Sequence, residues 1–191
     1  MTYSMIGFSG SLRAGSSNTG LLRMAMRLAP DQLDITAFDD LGRLPFYNAD
    51  LDTPETLPTV VAEFRQLVAD ADAVLLAAPE YNWGPSGAMK NAFDWLSRPM
   101  GANAFRAKVV AIVSSAGKGG GKKAQAYFTE ILGLFGNEVV AEPEVAIAIG
   151  RALIAADGTT TDPSIEALMS ARLVNIITAL NARATAEVSR S

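Results

Sequence analysis

The side chains best suited to chemistry gather first in Ser9-Gly10-Ser11-Leu12-Arg13-Ala14-Gly15-Ser16-Ser17-Asn18, directly after the apolar run Ile6–Phe8. Hydroxyls from Ser11, Ser16 and Ser17, the Asn18 amide and the Arg13 guanidinium crowd a loop that leads into a helical pattern, with Leu21, Leu22, Ala25, Leu28 and Ala29 on one face. A helix N-terminus offers unpaired N–H groups and the positive end of a dipole, and so favours an anion. Arg13 adds a planar cationic fork suited to phosphate. The stretch reads as a phosphate cradle. The same composition also suits an ordinary loop in which Ser16 or Ser17 caps the next helix. The spacing matches neither GxGxxG nor a P-loop, so a single phosphate fits better than a pyrophosphate or a hydrolysed triphosphate.

Two further loops have the same punctuation. Pro79-Glu80-Tyr81-Asn82-Trp83-Gly84-Pro85-Ser86-Gly87 follows the apolar run Ala71–Ala78, and Ser114-Ser115-Ala116-Gly117-Lys118-Gly119-Gly120-Gly121 follows Val109–Val113. Outside any wider context, Glu80 would be a solvated loop carboxylate and Tyr81 half-buried packing.

What the chain lacks narrows the chemistry. It contains no Cys and no His, which excludes thiolate nucleophiles, zinc–thiolate sites and a triad of the usual kind, and no metal site is expected. Redox or group-transfer chemistry must then come from a borrowed cofactor. The net charge of −4 argues against a nucleic-acid partner and against attraction to anionic membranes. No leader and no apolar run of membrane-spanning length is evident, so a cytoplasmic location is expected. With 191 residues and 49% apolar composition, one domain over 1–191 is the simplest organisation.

The positioning elements follow from periodicity. Strands are expected at Met5–Ser9, Leu33–Phe38, Ala71–Ala78, Val109–Val113 and Glu138–Ile149, the last interrupted at Pro143. Helical stripes occupy the first helix near Ser17–Ala29, then Leu57–Val68, Met89–Leu96, Ala124–Phe135 and the segment after Pro163, while Asp39–Pro58 reads as a long loop. Alternating strands and helices imply a parallel sheet covered on both faces, with ligands beyond the carboxyl ends of the strands. In the order 2-1-3-4-5 the three Gly/Ser/Pro loops would converge on one crevice.

Gly10-Ser11-Leu12-Arg13-x-x-Ser16-x-Asn18, Pro79-Glu80-Tyr81-Asn82 and Lys90-Asn91-Ala92-x-Asp94-Trp95-x-Ser97-Arg98-Pro99 together resemble the NAD(P)H-dependent FMN reductases, which include quinone, chromate and azo-dye reductases. The resemblance covers nearly the whole chain. It implies a flavodoxin-like three-layer α/β sandwich with a five-stranded parallel sheet. It also implies FMN as cofactor, NADPH or NADH as co-substrate, a quinone-like or other small electron acceptor, and a homodimer or homotetramer. Cofactor-binding positions would include Ser9, Ser11, Leu12, Arg13, Ser16, Ser17 and Asn18 around the phosphate. Pro79, Glu80, Tyr81, Asn82 and Trp83 would run along the flavin ring, with Ser114, Ser115 and Gly117 closing its other side. No side-chain acid or base is required, because the flavin carries the redox chemistry. Asp94 would fix a loop or a neighbouring subunit, and Trp95 would fill an interface.

The chain departs from the family pattern in two places. Trp83-Gly84-Pro85-Ser86-Gly87 sets its proline one position early, and the third loop is unusually basic, with Lys118, Lys122 and Lys123. Those lysines either solvate a helix start or meet the 2′-phosphate of NADPH. Two other functions suit the same fold, a flavodoxin-type electron carrier and a flavin redox-sensing interaction module. Arg13 in the phosphate loop and a modest net charge favour the enzyme over the carrier.

Overall fold

The computed structural model describes residues 2–101 and 103–189, the side chains of 187 and 188 excepted. The single domain expected over 1–191 extends over residues 1, 102, 190 and 191, which lie outside the described residues. Strand β1 (Tyr3–Ser9) leads to helix α1 (Ser17–Arg27), β2 (Leu33–Ala37), α2 (Thr59–Asp70) and β3 (Ala73–Ala77). A two-strand hairpin, β4 (Glu80–Tyr81) and β5 (Gly84–Pro85), precedes α3 (Gly87–Leu96). The chain continues through β6 (Val109–Ala116), α4 (Lys122–Leu134), β7 (Glu138–Val140), β8 (Ala146–Ala148) and α5 (Pro163–Val188).

The main sheet is parallel in the order β2-β1-β3-β6-β7, and β8 also pairs with β6. This is the expected 2-1-3-4-5 order, with the fifth strand split where Pro143 withholds an N–H. Alternate residues of the strands feed two cores. Met5, Leu75 and Ala111 face α1 and α5, whereas Phe8, Leu76 and Ile112 face α2, α3 and α4. Nearly continuous apolar runs are what a sheet buried on both faces requires. On the second face Phe64 stands edge-on to Phe8 at 5.1 Å and stacks on Phe38 at 4.4 Å. Each such ring adds about 1.5–3 kcal/mol by leaving water.

Several local expectations change. The fourth strand runs on to Ala116, because Ser114, Ser115 and Ala116 pair with Ala146, Ile147 and Ala148. The loop 39–58 contains two short 3-10 turns, Asp40–Arg43 and Ala49–Leu51. It is held down from within the chain: Asn91 Nδ2 and Trp95 Nε1 both donate to the Pro45 carbonyl, at 2.9 and 2.8 Å. Trp95 is therefore buried under this loop and does not fill an interface. Asp94 accepts from Lys90 Nζ one helical turn away, at 2.5 Å, and so supports its own helix. Helix α5 is also apolar enough in composition to cross a membrane, an 18-residue window within Pro163–Ala186 having a mean hydropathy of 1.2. Its stripe of Ile165, Met169, Leu173, Ile176 and Leu180 is occupied by the sheet.

Candidate functional site

Registration of the sheet brings three loops to one edge. Ser9 lies beside Ala77, which lies beside Val113, so the chain leaves β1, β3 and β6 at adjacent points. Strand β8 adds a fourth segment, Ile149–Arg151, to the same edge. Between them lies a cleft of about 280 Å³.

The first loop forms one wall. Ser16 caps α1, its hydroxyl accepting from the N–H groups of Asn18 and Thr19 at 3.2 Å each. The N–H groups of Leu12, Arg13, Ala14, Gly15 and Ser17 meet no protein acceptor among the described residues. Backbone donors left open beside a helix N-terminus form a concavity suited to an anion. Arg13 is exposed on the cleft wall and makes no ion pair among the described residues. Arg151 also lines the cleft. Two cations and a row of open amides make the cleft attractive to a dianionic phosphate.

Rigid connections fix the cleft from behind. Ser17 Oγ and Ser115 Oγ are hydrogen-bonded at 2.8 Å, and either hydroxyl can donate. Asn18 Nδ2 donates to the Ser115 carbonyl at 2.8 Å while its Oδ1 accepts from the Ser115 N–H at 2.9 Å. Gly150 lies so close to this cluster that a Cβ there would stand 2.1 Å from Ser115 Oγ. Glycine at that position lets β8 approach. Gly10 is equally confined, with a Cβ reaching within 2.9 Å of Pro79 Cδ and 2.8 Å of Ser86 Oγ. The Ser86 hydroxyl donates to the Gly10 carbonyl at 2.7 Å, tying the second loop to the first.

Of the positions expected to bind cofactor, Ser11, Arg13, Ser16, Ser17, Asn18, Pro79, Glu80, Tyr81, Ser115 and Gly117 line this cleft. Their roles differ. Both polar atoms of the Asn18 amide are engaged by Ser115, which makes Asn18 a brace for the cradle. Glu80 is half-buried and engaged: its Oε2 accepts from the N–H groups of Lys123 and Ala124, at 2.9 and 3.3 Å, and caps α4. Tyr81 is exposed beyond the packing expected of it.

Five expected positions lie elsewhere. Ser9 Oγ accepts from Ser11 N and Thr19 Oγ1, bracing the loop from beneath, and Ser9 and Leu12 line a separate hollow toward residues 38–43. Ser114 is buried, donating to the Gly120 carbonyl at 2.6 Å and accepting from Gln125 Nε2. Asn82 and Trp83 border a neighbouring cavity. Both have positive φ, 50° and 61°, as the two central residues of a tight hairpin turn require.

Ala116, Ile149 and Arg151 also line the cleft and were not anticipated. The Gly150-Arg151 step follows a strand end, as Gly10 and Arg13 do. That was the available signal, hidden by the break in the fifth strand.

A doubly wound parallel sheet with a cleft at its topological switch point defines a flavodoxin-like fold. Residues 3–152 match the family model described as NADPH-dependent FMN reductase. A Solanum tuberosum protein named NAD(P)H:quinone oxidoreductase is 42% identical over 65% of this chain and 64% of its own length, so the chain spans just under two thirds of that relative. An Oryza sativa protein named probable NADPH:quinone oxidoreductase 2 is 35% identical over 88% of this chain and 84% of its own. Among solved structures, FerB from Paracoccus denitrificans, described as a flavoenzyme NAD(P)H:(acceptor) oxidoreductase, superposes with a TM-score of 0.83. It is 31% identical, with 94% of this chain and 98% of that one covered. The chain belongs to the NADPH-dependent FMN reductase family. The open amides of the cleft and the two arginines that line it, Arg13 and Arg151, fit a phosphate such as that of FMN.

Proposed function

We propose that this chain, as one FMN-binding domain, passes reducing equivalents from NAD(P)H to a quinone-like or other small acceptor. The observation that carries the reading is a cleft whose lining combines open backbone donors with Arg13 and Arg151, a place for one phosphate, and includes Glu80 and Tyr81 of the β4–β5 hairpin. FMN bound there would supply the hydride chemistry. The chain's own residues bind and orient. Arg13 and the amides of residues 12–15 and 17 would hold the phosphate, Arg151 would close over it, and the Pro79–Tyr81 backbone would flank the ring. Quinone oxidoreductases among its relatives support a small planar acceptor.

The purified protein should carry a flavin absorption spectrum that NAD(P)H bleaches without oxygen and that a benzoquinone restores. A colourless protein that takes up no FMN would overturn the reading. Bleaching without turnover of any acceptor would favour the electron carrier.

Assembly as a homodimer or homotetramer in the cytoplasm is part of the same proposal. Phe46, Trp83, Met100 and Leu134 are all at least 72% exposed, and large apolar side chains of this kind are enriched at interfaces. Light scattering at micromolar concentration tests it, and a monomeric mass would refute it.

A further inference from the structure

Ile149 holds a strained backbone that its own packing does not explain. Its conformation is left-handed, φ 53° and ψ 25°, a region in which a β-branched side chain is an outlier. Among the described residues the other non-glycine positions with positive φ are Asn82, Trp83 and Ala107. Asn82 and Trp83 form the hairpin turn, and Ala107 has only a methyl group to accommodate. Ile149 alone is β-branched.

The bend itself is needed. The chain leaves β8 at Ala148, and the Ile149 N–H then donates to the carbonyls of Ala116 and Gly117, at 2.9 and 3.1 Å. Gly150 next passes against Ser115, where no larger residue fits. These contacts use only the backbone of residue 149. Glycine or asparagine would make them as well, since both enter the left-handed region readily.

A buried side chain could offset the strain by packing, but Ile149 is 59% exposed. It lines the cleft beside Ala116 and Gly117, and so extends the uncharged lining contributed by the loop after β6. Strained residues cluster at ligand sites, where the strain serves to hold a group in place. An apolar side chain fixed in this way, with its surface open in a cleft, is matched by an apolar ligand face.

We infer that the Ile149 side chain seats the flavin ring. Its apolar surface packs on the isoalloxazine, and leaving water there offsets the backbone strain. Phosphate and ring are then held by separate groups, Arg13 and the open amides at the one and Ile149 at the other. The inference rests on the reading of the cleft as an FMN site, and names the residue that recognises the uncharged part of the cofactor.

The test measures the flavin-free chain and its flavin affinity together. Ile149→Gly and Ile149→Asn relieve the strain and keep the N–H, so the urea midpoint of each flavin-free variant should equal or exceed that of the unmodified chain. Fluorescence titration should show both variants binding FMN and riboflavin more weakly by one common factor, about 5- to 20-fold, as expected from leaving much of an isoleucine surface in water. Ile149→Leu, which keeps the apolar surface without the β-branch, should retain most of the affinity for both. Unchanged binding of both flavins in Ile149→Gly and Ile149→Asn would overturn the inference, and so would a loss confined to FMN, which would put the side chain at the phosphate. A lowered midpoint in both flavin-free variants would overturn it too, because the protein itself would then be holding the side chain. The two readings fail separately. If the unmodified protein takes up neither flavin, the reading of the cleft falls and this one with it. If it takes up both and the variants bind them unchanged, only the role of Ile149 falls.

Discussion

Asn18 and Ser115 form a reciprocal pair behind the cleft: the Asn18 amide donates to the Ser115 carbonyl at 2.8 Å and accepts from its N–H at 2.9 Å. This contact locks the start of α1 to the end of β6, residues 97 apart in sequence. It uses all the polar capacity that the amide can direct at one peptide group, so the orientation of Asn18 is fixed by its partner. The phosphate loop is therefore preorganised by the third loop.

Asn18→Ala should leave both Ser115 groups without their partners. Removing one side of a buried hydrogen bond costs about 1–3 kcal/mol, and the loss should appear as a lower urea midpoint with an unchanged slope. Asn18→Asp keeps the acceptor but adds a negative charge beside the cradle, so FMN affinity should fall more than stability does. Retention of the full midpoint by the alanine variant would show that Asn18 is not a brace.

Arg13 should behave in the opposite way. It is exposed and unpaired among the described residues, so Arg13→Ala should leave thermal stability within about 0.5 kcal/mol. A lost charge-assisted contact of about 1.5–3 kcal/mol should weaken FMN binding about 10- to 150-fold. Riboflavin, which has no phosphate, should bind both proteins alike. Fluorescence titration with the two flavins separates these outcomes, and an unchanged FMN dissociation constant would remove Arg13 from the cradle.

Acid sensitivity should trace to a pair beneath the 39–58 loop. Arg65 reaches Asp52 through two hydrogen bonds, at 2.6 and 2.8 Å, with both side chains mostly buried. These bonds hold the Asp52 carboxyl below its ordinary value of 3.8; burial opposes the shift, and the charges of Arg65 and Arg98 add to it. A carboxylate whose pKa is depressed by folding contributes stability that is complete above its unfolded value and is lost as pH falls through the folded one. The difference between the unmodified protein and Asp52→Asn should therefore be constant near neutrality and shrink below pH 3.8. Denaturant midpoints across that range check the sign, and a gap that widens on acidification would contradict it.

The sheet order and the convergence of three loops were legible because they depend on runs of apolar residues and on Gly/Pro/Ser punctuation, both local signals. What escaped was the use made of polar side chains. Nothing in Pro79–Gly87 says that Glu80 finds the N–H groups of α4, a contact made across 43 residues. Asn18 belongs to the right loop but serves as a brace, because the polar groups nearest it are backbone, whereas the cap made by Ser16 is the alternative that the sequence itself offered. Arg172 was the most deeply hidden. It interrupts the apolar stripe of α5, between Met169 and Leu173, where periodicity alone treats one charged residue as noise.

Arg172 is 1% exposed, and its guanidinium donates to the carbonyls of Ile112, Val140, Ala141 and Pro143. Those carbonyls surround the break between β7 and β8, where strand pairing lapses and backbone groups would otherwise be buried without partners. Burial lowers the Arg172 pKa to about 10, against the pull of Glu142 and Glu144, so the side chain stays charged at neutral pH. Arg172→Met would match its volume but leave several acceptors unsatisfied, at about 1–3 kcal/mol each. A loss of about 3 kcal/mol or more in urea unfolding is expected. Arg172→Lys should recover only part of it, since one ammonium cannot reach carbonyls arrayed for a planar fork. Strand β8 delivers Ile149 and Arg151 to the cleft, so both variants should also bind FMN more weakly. Arg151→Ala should weaken FMN without the loss of stability. An Arg172→Met protein with the normal urea midpoint would show that the break between the strands is held by something else.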